Sequence, residues 1–317
     1  MLVSFVIACY YSEKTIGKVV EGIIDQFKDK DGYDCEFVLV NDGSKDGTFD
    51  VIKSLCDKYP FVKGINLMRN FGQHNALMAA LRYAKGDYVM GMDDDMQTHP
   101  SQVFKLIHKI EEGYDIVYGR YPDSKNGFFK KLSSSFNIIT SQIMLDMPKD
   151  IVESNFWILT DKVKDEVIKY KSFNPMLDAI FYQVTHNFGN VEVEHYKRES
   201  GKSGYTLRKL IRLWLSYWNY SVMPLRVSFM MGALAGLLGL IVTIWLIYKK
   251  LTDPMLPMGW ASTLCLMTML FAVVLMVLGV VGEYLGKAIL ILNNTPQYII
   301  RETNNLEDSD AKEEAQG

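Results

Sequence analysis

Three consecutive carboxylates and a glutamine, Asp93-Asp-Asp-Met-Gln97, follow directly on the apolar run Tyr88-Val-Met-Gly-Met92. Carboxylate and amide oxygens are hard ligands, suited to Mg²⁺ or Mn²⁺. Side chains alternate along a strand, so Asp93, Asp95 and Gln97 are expected on one face as cation ligands, with Asp94 on the other. An acidic loop that only solvates the end of a sheet is the plain alternative on this stretch alone. Other polar clusters also sit at the ends of apolar runs. Tyr10 and Glu13 follow Leu2–Cys9, Asn41-Asp-Gly-Ser-Lys-Asp-Gly-Thr48 follows Cys35–Val40, and Arg69-Asn-Phe-Gly72 follows Phe61–Leu67.

The apolar runs are rich in β-branched and aromatic residues, as buried parallel strands are, and helical spacing fills the gaps at Thr15–Phe27, Thr48–Lys58 and Asn75–Ala84. Strict alternation of strand and helix predicts an α/β, Rossmann-like domain with a mostly parallel sheet and ligands at the carboxyl ends of the strands. Beyond Asp115 the pattern is mixed: a strand at Ile116–Arg120, a helix at Phe128–Met144, and strands at Ile151–Leu159 and Val191–Tyr196 are expected. No G-x-G-x-x-G follows the first strand and no G-x-x-x-x-G-K-[ST] occurs, which excludes the dinucleotide fingerprint and the P-loop. Lys197-Arg-Glu-Ser-Gly-Lys-Ser-Gly-Tyr205 is a basic, glycine-containing stretch that suits a functional loop or a plain linker.

The chain has 317 residues and a formal net charge of −3, which argues against a nucleic-acid partner. Its four cysteines show no C-x-x-C spacing, so neither a zinc site nor a disulfide framework is expected. The N-terminus lacks the basic region of a signal peptide and is expected to be the first strand of a cytosolic domain. Tyr205–Tyr220 places Leu207, Leu210, Ile211 and Trp214 opposite Arg208, Lys209 and Arg212, the pattern of an amphipathic helix lying in a bilayer interface. Val227–Tyr248 and Trp260–Val281 are each about 22 residues long, enough to span ~33 Å as a helix. Arg208, Lys209, Arg212 and Arg226 precede the first run, whereas only Lys249 and Lys250 lie between the two, which predicts a cytosolic N-terminal domain and tail. The expected organisation is a catalytic domain at 1–204, an interfacial helix at 205–224, a transmembrane hairpin at 225–288 and a partly disordered cytosolic tail at 289–317, polar and acidic from Glu302 onward. Small residues on both spans leave room for homo-oligomer packing.

The order Tyr10, Glu13, Val40-Asn-Asp-Gly-Ser-Lys-Asp-Gly-Thr48, Arg69-Asn-Phe-Gly72, Asp93-Asp-Asp-Met-Gln97 and Gly201-Lys-Ser-Gly-Tyr205 ahead of two spans resembles the family 2 glycosyltransferases that act on polyprenyl phosphates. The likeness is to the dolichyl-phosphate-mannose-synthase-like, GtrB-like and ArnC-like enzymes and covers about residues 1 to 290. It implies a GT-A fold and inverting transfer of a sugar from a UDP- or GDP-linked donor to undecaprenyl or dolichyl phosphate at the cytosolic face of the inner membrane. By the same resemblance Ala8, Tyr10, Glu13, Asp42, Arg69, Gly72, Asp93 and Ser203 bind the nucleotide sugar, while Asp93, Asp95 and Gln97 hold Mg²⁺ or Mn²⁺. Arg120, Lys131 and Ser135 grip the acceptor phosphate, and Arg198 and Lys202 join Asp93 and Asp95 in catalysis.

Departures from the family pattern are Ala8 for a usual Pro, Tyr11-Ser12 for Asn-Glu, Ser203-Gly204 for Ser-Lys, and Ser154-Asn-Phe156 for Gly-Asp-Phe, which puts Asn155 where relatives carry a carboxylate. A base is dispensable on chemical grounds, because a phosphate monoester has a second pKa of about 6 and is already an anionic nucleophile at pH 7. A glycosyltransferase for another lipid, glycan or protein acceptor, and an inactive membrane-anchored nucleotide-sugar binder, are the competing expectations. The Gln-x-x-Arg-Trp run of processive synthases is absent near Leu210–Trp218.

Overall fold

A computed structural model describes residues 1–121, 150–194, 259–293 and 295–306, with scattered positions between 228 and 252. The chain divides into two compact units, Met1–Leu207 with Thr295–Gly317, and Arg208–Asn294. In the first, β1 (Leu2–Cys9), α1 (Ile16–Phe27), β2 (Asp34–Asn41), α2 (Thr48–Lys58), β3 (Val62–Leu67), α3 (Gln73–Tyr83) and β4 (Tyr88–Gly91) alternate, as their apolar periods require. A single 3₁₀ turn at Pro100–Gln102 leads into α4 (Val103–Ile110), followed by β5 (Ile116–Arg120), β6 (Trp157–Thr160), α5 (Asp161–Val167), α6 (Leu177–Val184) and β7 (Phe188–Glu192). The second unit holds α7 (Trp260–Leu292), after which β8 (Ile300–Asn304) rejoins the first.

The strands form one sheet in the order β7-β5-β6-β4-β1-β2-β3-β8. Parallel pairing of β1 with β2 and β4, and of β2 with β3, brings four strand ends to one edge. Strand β6 runs antiparallel to both β4 and β5, so β5 ends at that same edge. Alternate positions Val3, Phe5, Ile7 and Cys9 of β1 join Phe37 and Leu39 of β2 in one buried cluster with side chains of α1, α2 and α4, while α3 packs on β1 and β2 from the opposite face. Phe5 stacks on Phe37 at 5.2 Å and meets Phe27 edge-on at 5.8 Å. Burying each such side chain contributes roughly 1.5–3 kcal/mol, which is why these strands tolerate polar loops at their ends.

One charge is held inside this frame. Glu36 of β2 accepts from Ser4 Oγ at 2.5 Å, Lys85 N at 2.6 Å and Lys63 Nζ at 2.8 Å, with the Lys63 and Glu36 side chains only 12% and 9% exposed. Burial alone raises a carboxyl pKa, but the hydrogen bonds from Lys63, Ser4 and Lys85 outweigh it, so Glu36 titrates below its ordinary value. A carboxylate depressed on folding contributes stability in full above its unfolded pKa and loses it as pH falls through the folded one. Lys63→Met leaves that charge unpaired and is expected to cost about 3 kcal/mol at pH 7. The deficit should shrink below the unfolded carboxylate pKa, as protonation neutralises Glu36, in urea titrations run from pH 7 to pH 3.

Several expectations need correction. The tail is paired in the sheet over Ile300–Asn304, where disorder is expected from Glu302: β8 is antiparallel to β3, and Glu302 accepts from Asn66 Nδ2 at 3.0 Å and pairs with Lys53 at 3.1 Å. Asn305 adds hydrogen bonds to the carbonyls of Cys56 and Val62. The free edge of β3 captures a polar segment through backbone pairing, which composition does not report. The strand expected at Ile151–Leu159 is confined to Trp157–Thr160. Upstream, Val152 exchanges hydrogen bonds with the Asn190 side chain, and Ser154 bonds the Phe156 backbone, in place of a ladder. Strand β7 begins at Phe188, three residues before its expected start at Val191. The helix expected at Phe128–Met144 and the interfacial helix at 205–224 lie outside the described residues, as do 307–317.

In the second unit α7 runs for 33 residues, and Leu266, Phe271, Leu275, Leu278, Leu285 and Leu292 along it are all exposed. Several of its side chains lie outside the described residues, and among those described no helix is long and apolar enough to cross a membrane.

Candidate active site

The loops after β1, β2, β3 and β4 are stapled to one another at the sheet edge. Buried Asp42, just past β2, accepts from Phe71 N at 2.7 Å and Gly72 N at 2.9 Å, and its carbonyl accepts from Asn70 Nδ2. Burial pushes its carboxyl up, while the two backbone donors and Arg69 pull it down. In this conformation Asp42 fixes the Arg69–Gly72 loop and, with it, the start of α3. Glu13 accepts from Gly47 N at 2.9 Å, Tyr11 N donates to Ser44 Oγ at 3.1 Å, and Ser12 N donates to Thr48 Oγ1 at 2.9 Å. These bonds close the β1 loop on the β2 loop. Tyr10 is exposed and packs edge-on against Tyr11, Arg69 lies 4.1 Å over the Phe71 ring, and Ala8 is half-buried beside Val40.

The three carboxylates do not continue the strand. Strand β4 ends at Gly91, Met96 takes a left-handed φ of 61°, and Gln97 N turns back to donate to Asp95 Oδ1 at 3.0 Å. Direction is therefore set by partners, not by alternation. Asp94 accepts from Tyr10 N at 3.1 Å and from Ser12 Oγ, so it ties the acidic turn to the β1 loop instead of standing idle. Asp93 points elsewhere: Oδ1 accepts from Gln73 Nε2 at 2.9 Å and Oδ2 from Asn155 Nδ2 at 3.0 Å. Burial, and then the charges of Asp95 and Asp94, push the Asp93 carboxyl up to about 6 against those two hydrogen bonds.

Sheet register explains Asn155. Trp157 of β6 is paired with Gly91 of β4 on one side and Tyr118 of β5 on the other. Asn155, Asp93 and Arg120 each lie two residues from that row, at the same edge. Strands β4 and β5 flank β6, so Asp93 and Arg120 follow them on either side of the lead into β6 that carries Asn155. Arg120 itself is exposed.

A small pocket adjoins Asp93, lined by Gln73, His74, Met92, Asn155, Trp157 and Asp178 among others. His74 Nδ1 accepts from Leu177 N at 3.4 Å, and Tyr118 Oη donates to Asp178 Oδ1 at 3.0 Å. Burial lowers His74 and raises Asp178; burial and then the Asp178 charge raise Glu153, which keeps its proton to higher pH than an ordinary carboxyl. Sequence patterning did not single out Gln73, His74, Glu153 or Asp178. Only Gln73 carried a signal, since it follows the Arg69–Gly72 turn directly.

Asp93 and Asp95 fit a Mg²⁺ or Mn²⁺ ion as a platform of two carboxylates, not as a cage. Each oxygen bonded to an N–H keeps a further lone pair, and among the described residues no three His, Cys, Asp or Glu side chains converge on one point. Mg²⁺ suits such a platform, because it is commonly held by one or two carboxylates with the remaining positions filled by substrate phosphates and water. Gln97 enters the turn through its backbone. Lys131, Ser135, Arg198, Lys202 and Ser203 lie outside the described residues.

The glycosyl transferase family 2 model matches residues 4–168, slightly more than half of the chain and the whole of the stapled edge. The chain belongs to that family. This family 2 glycosyltransferase has a GT-A-like α/β fold with a mostly parallel sheet. It is 30% identical to the uncharacterised glycosyltransferase YkcC of Bacillus subtilis (strain 168), over 96% of this chain and 94% of that one. It is 28% identical to the undecaprenyl-phosphate 4-deoxy-4-formamido-L-arabinose transferase of Edwardsiella ictaluri (strain 93-146), over 98% and 97%. Identity to the bactoprenol glucosyl transferase of Shigella phage SfII is 29%, over 96% and 99%. The matches to these relatives extend well past the family model, into the second unit of the glycosyltransferase.

Proposed function

We propose that this glycosyltransferase moves a sugar from a nucleoside diphosphate donor to polyprenyl phosphate at the cytosolic face of a membrane, with inversion at the anomeric carbon. The observation that carries the proposal is the placing of opposite charges at one sheet edge, with Asp93 following β4, Arg120 ending β5, and the uncharged Asn155, on the lead into the intervening β6, bonded to Asp93. A divalent cation on Asp93 and Asp95 would neutralise the donor diphosphate and stabilise the departing nucleoside diphosphate. Arg120 binds the acceptor phosphate and holds it in line with the anomeric carbon. An acceptor phosphate oxygen attacks that carbon, the bond to the diphosphate oxygen breaks, and the nucleoside diphosphate leaves with the bonding pair. The acceptor is already ionised, so no residue has to remove a proton, and an amide at position 155 is compatible with turnover. Tyr10, Glu13, Asp42, Arg69, Gly72 and Ser203 form the nucleotide side of the site, while Lys131 and Ser135 assist Arg120. Arg198 and Lys202 supply positive charge for the donor diphosphate.

Membrane attachment is supported by the uncharged run from Trp260 to Gly282 and by the exposed apolar side chains of α7. The chain leaves the first unit at Leu207 and returns at Thr295 to pair in the same sheet, so an even number of crossings separates those points. Two spans satisfy that count, with catalytic unit and tail on one side. The basic residues before the first span support a cytosolic position for that side.

Purified protein in detergent, given undecaprenyl phosphate and a panel of UDP- and GDP-sugars, should yield a polyprenyl-phosphate sugar by mass spectrometry together with free nucleoside diphosphate. No product with any donor, despite donor binding, would leave the chain a binding protein. Arg120→Ala should raise the KM for undecaprenyl phosphate by about 10-fold while leaving the donor KM within a factor of about two, roughly the loss of one charge-assisted contact. The opposite pattern would move Arg120 to the nucleotide.

A further inference from the structure

We propose that Gln73 and Asn155 are positioning residues that aim the Asp93 carboxylate at the divalent cation. This rests on the metal reading given above. Gln73 Nε2 and Asn155 Nδ2 each donate to a different oxygen of Asp93, at 2.9 and 3.0 Å. A carboxylate oxygen offers two lone-pair directions, and each amide N–H occupies one of them. With one direction on each oxygen taken by these donors, the carboxylate plane is fixed and one lone pair on each oxygen remains for a cation.

The two donors are themselves held from separate elements. Gln73 opens α3 directly after Gly72, whose N–H is locked by buried Asp42. Asn155 sits in the segment before β6, which Asn190 anchors at both the N–H and the carbonyl of Val152 and Ser154 anchors at Phe156. Asp93 is thereby gripped between the start of α3 and the lead into β6. Asn155 thus has a task that a carboxylate could not perform, since an ionised Asp there would have no hydrogen to donate and would repel Asp93. The amide acts on the metal ligand, not on the nucleophile.

Outer partners of metal ligands typically contribute 10- to 100-fold in metal affinity. Mn²⁺ titrated into the full-length protein with saturating UDP, and in parallel GDP, reports free ion by electron paramagnetic resonance. Asn155→Ala and Gln73→Ala are each expected to raise the Mn²⁺ Kd about 10-fold, with an unchanged unfolding temperature in EDTA. Excess Mn²⁺ should restore kcat in both, which it would not do for a lost general base. Asp95→Ala is the control. If Asp95→Ala weakens Mn²⁺ binding while Asn155→Ala and Gln73→Ala leave it unchanged, the positioning role is overturned and the metal site stands. If Asp95→Ala itself has no effect on the Kd, the metal reading falls and this proposal falls with it. Should Asn155→Ala fail to fold, Gln73→Ala carries the same test alone.

Discussion

Asp95→Ala is expected to lower sugar transfer by about 10³-fold or more, close to 4 kcal/mol of barrier at 1.36 kcal/mol per decade. That magnitude is what removal of half of a two-carboxylate platform should cost, since a divalent cation supplies several kcal/mol of charge stabilisation to a departing diphosphate. Asp95 also accepts from Gln97 N, which closes the turn at Met96, so folding has to be separated from chemistry. Met96 of that turn packs against the cluster of Phe5, Phe37 and Leu39, a contact that does not involve the Asp95 carboxylate and that Asp95→Ala retains. The variant should unfold close to the wild-type temperature in EDTA, insert into membranes normally and fail in turnover. Comparing initial rates with Mn²⁺ and with EDTA decides the matter. A variant that turns over at the wild-type rate in EDTA would remove the cation from the mechanism, and Asp93 and Asp95 would revert to an acidic turn that solvates a strand end.

The sequence made the edge legible because buried parallel strands are continuous apolar runs, and whatever follows such a run must lie at the carboxyl end of the sheet. Tyr10, Asp42, Arg69 and Asp93 were all located by that rule, and the structure places each just past the strand expected to carry it. What the rule does not give is direction. Asp93 and Asp94 part company because Gln73 and Asn155 attract one while Tyr10 N and Ser12 attract the other, and those partners lie 20 to 84 positions away in sequence. Asp42 has base-reading chemistry on paper, yet both of its oxygens accept from the backbone of the next loop. Asn155 registered as a departure from a family pattern, whereas strand register shows why an amide at that level meets Asp93. Strand β8 was hidden for a different reason. Its residues Ile-Arg-Glu-Thr-Asn have little apolar content, and they are ordered by the open edge of β3 and by Asn66 and Lys53.

Gly43→Ala is the substitution away from the carboxylates expected to do most damage, and the reason is steric contact between two backbones. Gly43 has a φ of +65°, and a Cβ placed there would stand 2.4 Å from the carbonyl carbon of Arg69 and 2.5 Å from Asn70 N. Neither atom belongs to a side chain that can rotate away. Relief requires the Asn41–Thr48 loop and the Arg69–Gly72 loop to separate, which pulls Phe71 N and Gly72 N from the Asp42 carboxylate and shifts the start of α3, where Gln73 meets Asp93. The left-handed conformation adds ~1–2 kcal/mol for alanine, and overpacking adds ~1–3 kcal/mol. A total near 3 kcal/mol corresponds to a fall of roughly 10 °C in unfolding temperature for a unit of this size. Donor KM should rise with it, because the nucleotide loops are the ones forced apart. Gly32 provides the comparison that isolates contact from conformation, since its φ is +84° but a Cβ there would meet no atom within 4 Å. Gly32→Ala should lose only the conformational part and leave the donor KM alone. Equal losses in the two variants, measured by thermal unfolding and donor titration, would mean that the loops do not bear on one another as their hydrogen bonds imply.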